Sequence, residues 1–99
     1  MSAPIQTYAD FWKFYLKEHS RPWTRRLHVL GTVLALSLAG VLAVRGLWAW
    51  LPVCLLVGYG FAWYSHFFIQ HNRPATFRYP LWTFVSDFRM AFLYLTGRL

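Results

Sequence analysis

Acidic residues are scarce in this 99-residue chain, with three Asp and Glu against ten Lys and Arg, and charged residues make up only 13% of it. Soluble domains carry about 25%, so a globule of this composition has too few charges to cover itself. Cysteine is nearly absent too. Cys54 stands alone, which excludes a disulfide scaffold. Asp10, Glu18 and Asp87 are the whole acidic inventory, a poor supply for a glycosidase-type carboxylate pair. There is no Gly-rich phosphate loop, no Ser-His-Asp pattern, no repeat and no low-complexity segment. What abounds is apolar: 58% of residues are hydrophobic and 21% aromatic, which excludes disorder. The net charge of +7 would ordinarily raise nucleic acid as a partner. Here the basic residues flank apolar runs, so anionic lipid headgroups are the simpler counter-charge and no nucleic acid is expected.

Between Arg26 and Arg45 lie 18 residues without a formal charge, and between Arg45 and Arg73 lie 27 more. About 20 apolar residues cross the hydrocarbon core as a helix. The pattern predicts an all-α integral membrane protein, a single domain over 1–99. Its centre is a two-span helical hairpin, 28–44 and 47–69, turning at Arg45-Gly46. The first run follows 26 residues of basic, aromatic sequence without a clear cleavage site, unlike a signal peptide. Lys13, Lys17, Arg21, Arg25, Arg26, Arg73, Arg78, Arg89 and Arg98 lie outside the hairpin and only Arg45 in its turn, which predicts both termini in the cytoplasm. Gly31, Ala35, Ala39 and Ala43 recur every four residues on the first span, and Cys54, Gly58 and Ala62 on the second. Small residues so spaced let two backbones approach in lipid. Continued, the second stripe reaches His66 and then Gln70.

The flanks read as amphipathic interfacial helices. Tyr8, Phe11, Trp12, Tyr15 and His19 share a face over 7–19, with Thr7 as N-cap and Pro22 barring continuation. Leu81, Phe84, Val85, Phe88, Phe92 and Leu95 form a stripe over 80–96. With Asp87 and Arg89 inside it, this helix is expected to lie in the interface rather than span.

The four histidines are not scattered. Residues level with one another in a hairpin turning at 45/46 have numbers summing to about 91, so His28 lies beside residue 63 and His66 three residues deeper toward the cytoplasm. His19 enters the first span and His71 follows the second. All four can meet at the cytoplasmic mouth, and imidazole is the commonest metal ligand. Interfacial anchoring is the plainer role for each alone, and His71 is weakest, pointing about 140° from His66 if the helix persists. Cys54, mid-membrane and without a base, is packing. The block Asn72-Arg73-Pro74-Ala75-Thr76-Phe77 either holds an anionic head through Arg73 or ends the helix.

Phe14-Tyr15-Leu16 with His19, His28 nine residues on, Gly58 to Trp63, His66-Phe67-Phe68, Asn72 to Phe77, and Tyr79-Pro80 form a recognisable set. Over roughly 8–97 the chain resembles the family of small membrane proteins that contains the fungal 2-hydroxy-fatty-acid dioxygenase, in its short bacterial branch. The resemblance implies an Fe(II) enzyme of fatty-acid α-oxidation in the bacterial inner membrane. It would convert a 2-hydroxy fatty acid and O2 to the acid one carbon shorter, without 2-oxoglutarate. It carries His19, His28 and His66 over as metal ligands. One departure stands out: Gln70 replaces a glutamate that follows the family's HFF motif, and His71 stands where many relatives have a basic residue.

The common non-haem iron site is two His and a carboxylate, and Gln70 cannot supply the carboxylate. Either three histidines bind, supported from behind by Gln70 or Asn72, or Asp87 reaches in from the last helix; His71 would be an additional fourth ligand. Arg73 would neutralise the substrate carboxylate. The alternatives are a bis-His haem electron-transfer protein using His28 and His66, a non-catalytic membrane or lipid-binding hairpin, and a structural zinc site. Self-association into a homo-oligomer is plausible for so small a hairpin.

Overall fold

The computed structural model describes residues 4–99, so the first three residues of the expected domain lie outside the described ones. Four α-helices follow one another: α1 (Tyr8–Glu18), α2 (Pro22–Val44), α3 (Pro52–Ser65) and α4 (Pro80–Leu95), with no strand among the described residues. Thr7 caps α1 by accepting from the Asp10 backbone N–H at 3.2 Å, and Asp10 sits in the first turn, where a negative charge suits the helix dipole. Pro22 occupies the first turn of α2, where a missing N–H is harmless. The first long helix therefore starts at 22 rather than 28. A cluster of arginines limits how deep a segment can sit in lipid, but it does not stop a helix from forming.

A 3₁₀ turn at Trp48–Trp50 leads into α3, and a wide π turn at His66–Gln70 continues it. The helical stretch Trp48–Gln70 and α2 each have 23 residues and are long and apolar enough to cross a membrane. At helical rise each is about 35 Å long, against about 30 Å of hydrocarbon. Gly46 supplies the left-handed turn between them at φ +71°.

The small-residue seam joins α2 to α3. A Cβ built on Gly31 would stand 2.8 Å from the Cβ of Phe61 and 3.1 Å from the Gly58 carbonyl oxygen, while one on Gly58 would meet Ala35 at an ordinary 3.5 Å. The partners of 31 and 35 descend from 61 to 58, so the two helices run in opposite directions. Gly31→Ala is therefore expected to force the pair apart and cost about 1–3 kcal/mol, read as a lower midpoint of thermal unfolding in detergent. Gly40→Ala, with nothing within 4 Å, is the neutral control.

The flanking helices α1 and α4 meet in the fold. They pack on one another, and α4 also packs on α2. Phe11, Tyr15, Ala75 and Met90 form a buried cluster, with Tyr79 and Trp82 against Phe11 at ring separations of 5.4 and 5.5 Å. Arg89 of α4 stacks over Trp12 of α1 at 4.1 Å, and Tyr8 and Ser86 share a 2.9 Å hydrogen bond. The α1 stripe faces inward, whereas the α4 stripe of Leu81, Phe84, Val85, Phe88, Phe92 and Leu95 faces outward. The buried face of α4 is the other one, comprising Thr83, Ser86, Asp87, Met90 and Ala91. Apolar outside and polar inside is the arrangement that lipid, not water, rewards.

Candidate metal centre

Three elements bring three imidazoles together. His19 caps the C-terminus of α1 and is wholly buried, His28 lies in the second turn of α2 at 4% exposure, and His66 opens the π turn at 2%. The His19 ring stands 4.5 Å from that of His66 and 4.8 Å from that of His28, and the outer pair is 6.4 Å apart.

The hydrogen bonds fix which nitrogen of each ring is free. Nδ1 of His19 lies 2.8 Å from the Tyr15 carbonyl, which can only accept, so Nδ1 carries the proton. Nδ1 of His66 donates to Asn72 Oδ1 at 2.7 Å. Asn72 is oriented for this by its own amide, which donates to the backbone carbonyl of Glu18 at 3.3 Å and to the Glu18 carboxylate. The two remaining nitrogens, Nε2 of His19 and Nε2 of His66, face each other at 3.0 Å. In neutral rings these are lone pair against lone pair. Burial, then the neighbouring His28 and His66, hold the His19 ring well below the ordinary histidine pKa, against the opposing backbone bond from Tyr15, so an added proton is a poor bridge. A metal cation between the two nitrogens removes the conflict.

His28 is set the other way round. Its Nε2 lies 2.6 Å from Asp87 Oδ1 and 3.0 Å from the Tyr15 hydroxyl, which itself donates to Asp87 Oδ1 at 2.7 Å. Its Nδ1 is buried with no partner. Burial pushes the Asp87 carboxyl up to about 7, partly countered by the Tyr15 bond, while burial and then Asp87 push the Tyr15 hydroxyl well above its usual range. Each of the three rings thus has one nitrogen tied to an oxygen and the other free, the pattern by which metal-binding histidines are aimed. Among the described residues, no three His, Cys, Asp or Glu side chains already form a finished metal cage. The His19 and His66 rings are set at 80° with their Nε2 atoms opposed, and His28 lies beside His19 but farther from His66.

The remaining residues named from the sequence sort by position. Asn72 backs His66 and Asp87 backs His28. Gln70 does neither: its Oε1 accepts from the Arg21 backbone at 2.9 Å and from Thr24 Oγ1 at 3.1 Å, pinning the start of α2 to the π turn. His71 is exposed, with φ +57°, and Arg73 is exposed as well. The π turn explains His71, because the five-residue turn ends in a left-handed residue that sends the next side chain, Asn72, back beneath His66. Because exposed His71 supports none of the three rings, His71→Ala is expected to escape the ~10–100-fold loss of affinity that removing a supporting group causes; metal analysis reads it. The haem arrangement of His28 and His66 does not fit, because the His19 ring occupies the space beside both that the macrocycle needs.

Two contributors escape sequence reasoning, Tyr15 and Glu18. Tyr15 reads as one more apolar stripe residue, although its place four before His19 puts both on one helix face. Glu18 is marked only by being one of three acids.

The family described as 2-hydroxy-palmitic acid dioxygenase Mpo1-like matches residues 5–99, nearly the whole chain. The chain belongs to that family. No curated protein and no solved structure matches it. In this member of the Mpo1-like family the three clustered histidines come from the C-cap of α1, from α2 and from the π turn, and all three fall within the matched span.

Proposed function

We propose that the chain is a membrane-embedded, Fe(II)-dependent dioxygenase that shortens a 2-hydroxy fatty acid by one carbon, with His19, His28 and His66 as the metal ligands. The observation that carries this reading is the pair of opposed Nε2 atoms at 3.0 Å beside the unpartnered Nδ1 of buried His28. Three neutral imidazoles suit a divalent first-row metal. The family name supports a dioxygenase acting on a 2-hydroxy acid.

When bound, the iron supplies activation of O2 for cleavage between C1 and C2. The chain's residues do the rest. Tyr15 O and Asn72 hold His19 and His66 in the tautomer that leaves Nε2 free, and Asp87 does the converse for His28. The aromatic cluster of α1 and α4 covers the site and keeps water from it. Asp87 Oδ1 also accepts the Tyr15 hydroxyl at 2.7 Å and so holds that side chain in place beside His28. Membrane embedding is supported by two long helices whose apolar windows are only 17% and 22% buried. The outward apolar face of α4 supports it too. Nine basic residues outside the spans against one in the turn favour both termini in the cytoplasm.

The test is anaerobic purification in detergent, metal analysis, and assay with 2-hydroxypalmitate and O2. About one iron per chain and release of the shortened acid are expected, both lost in His66→Ala. A wild-type protein that holds zinc and turns nothing over would overturn the reading, as would a His66→Ala variant that retains activity.

A further inference from the structure

A cleft of about 430 Å³ runs between α2, α3 and α4, within the ~300–1,000 Å³ usual for small-molecule sites. Its polar lining gathers at one end. His28, Asp87 and Tyr59 are there, and the Thr32 hydroxyl beside them is occupied by the His28 carbonyl at 3.0 Å. Its other end, near the Arg45-Gly46 turn, is bounded by Ala39, Leu51 and Pro52, and the walls between are apolar. From His28 to Ala39 is eleven residues of one helix, about 16 Å. That is the depth of a single leaflet of a ~30 Å hydrocarbon core.

We infer that this cleft holds the acyl tail of the substrate, with its head at His28 and Asp87 and its terminal methyl against Ala39 and Leu51, which set the longest chain accepted. The inference rests on the dioxygenase reading for the identity of the head. One apolar channel with one polar end fits an amphiphile with one tail. A bilayer phospholipid, with two tails and a large headgroup, fits a single channel of about 430 Å³ poorly. Phe84 and Phe88 of α4, in edge contact at 5.0 Å and partly exposed, form the wall toward the bilayer, so a chain can enter sideways from lipid. Small side chains on the α2 wall, Ala35 and Ala39, keep the channel open.

The experiment has two arms in lipid nanodiscs. In the first, a 2-hydroxy acid carrying a diazirine at its methyl end is photolysed with the wild-type protein, both iron-loaded and metal-free. Labelling is expected at Ala39, Leu51 and Leu55. Labelling spread over the outward-facing Leu34 and Leu56 instead would overturn the inference. In the second, turnover is compared for 2-hydroxyoctanoate and 2-hydroxypalmitate. Ala39→Phe is expected to lower kcat/KM for the longer acid by about tenfold or more, leaving the shorter within about threefold. An unchanged length profile would likewise overturn the inference. Far-end labelling in a protein that turns no substrate over leaves the cleft standing and removes the dioxygenase reading.

Discussion

His19→Ala is expected to lose bound iron and to bring turnover to background, a fall of more than ~100-fold and so beyond the ~10–100-fold that loss of a supporting hydrogen bond typically costs. The reason is positional. His19 is fully buried between the other two rings, and its Nε2 is the partner that His66 faces at 3.0 Å. Without it, His66 and His28 are left 6.4 Å apart with nothing between them. The substitution also removes a ring stacked on Tyr15 at 4.1 Å, so some stability is lost as well, about 1–3 kcal/mol. A melting curve beside the metal analysis separates the two effects. A folded His19→Ala protein with a full iron equivalent would put the metal elsewhere and reduce α1 to a lid.

Asp87→Leu is the second large change. Both the Tyr15 hydroxyl and His28 Nε2 converge on Asp87 Oδ1, and none of the three residues is more than 9% exposed. Leucine fills similar space but accepts nothing. His28 is then free to put its proton on either nitrogen, and its Nδ1 is no longer reliably a lone pair. Iron affinity is expected to fall about 10–100-fold, with about 1–3 kcal/mol of stability. The Tyr15 hydroxyl and His28, 3.0 Å apart, can still bond each other, which limits the structural damage. Asp87→Asn keeps an oxygen where both donors point and should recover most of the affinity. That rescue distinguishes a hydrogen-bonding role from mere packing. Competition with a metal-ion chelator at neutral pH measures all three proteins, and a leucine variant that binds as tightly as wild type would exclude the role.

Much of this was legible beforehand because it depends on local periodicity. Two long apolar runs, the small-residue seam through Gly31, Ala35 and Gly58, and the cap at Thr7 follow from composition and spacing along single helices. The nearness of His28 and His66 follows from the arithmetic of an antiparallel pair. Other features depended on long-range packing. Gln70 continues the seam by helical count, but the π turn withdraws it from the histidine cluster and gives it to Arg21 and Thr24. The same turn exposes His71 and brings Asn72 beneath His66. A change of helical pitch over five residues leaves no mark in a hydrophobic pattern.

The sequence by itself determined that this protein is helical, that two of its segments suit a bilayer, and that imidazoles gather near one end of them, because helix periodicity and transfer of apolar side chains act residue by residue. Only the tertiary structure decided that α1 and α4 fold together over those imidazoles and that α4 turns its polar face inward. It also decided that Tyr15, Asp87, Asn72 and Glu18 are the groups that aim each ring. Those outcomes depend on which buried donors and acceptors find partners across 40 to 80 residues of chain, from Glu18 to Asn72 and from Tyr8 to Ser86, and such pairings are settled only when the helices dock.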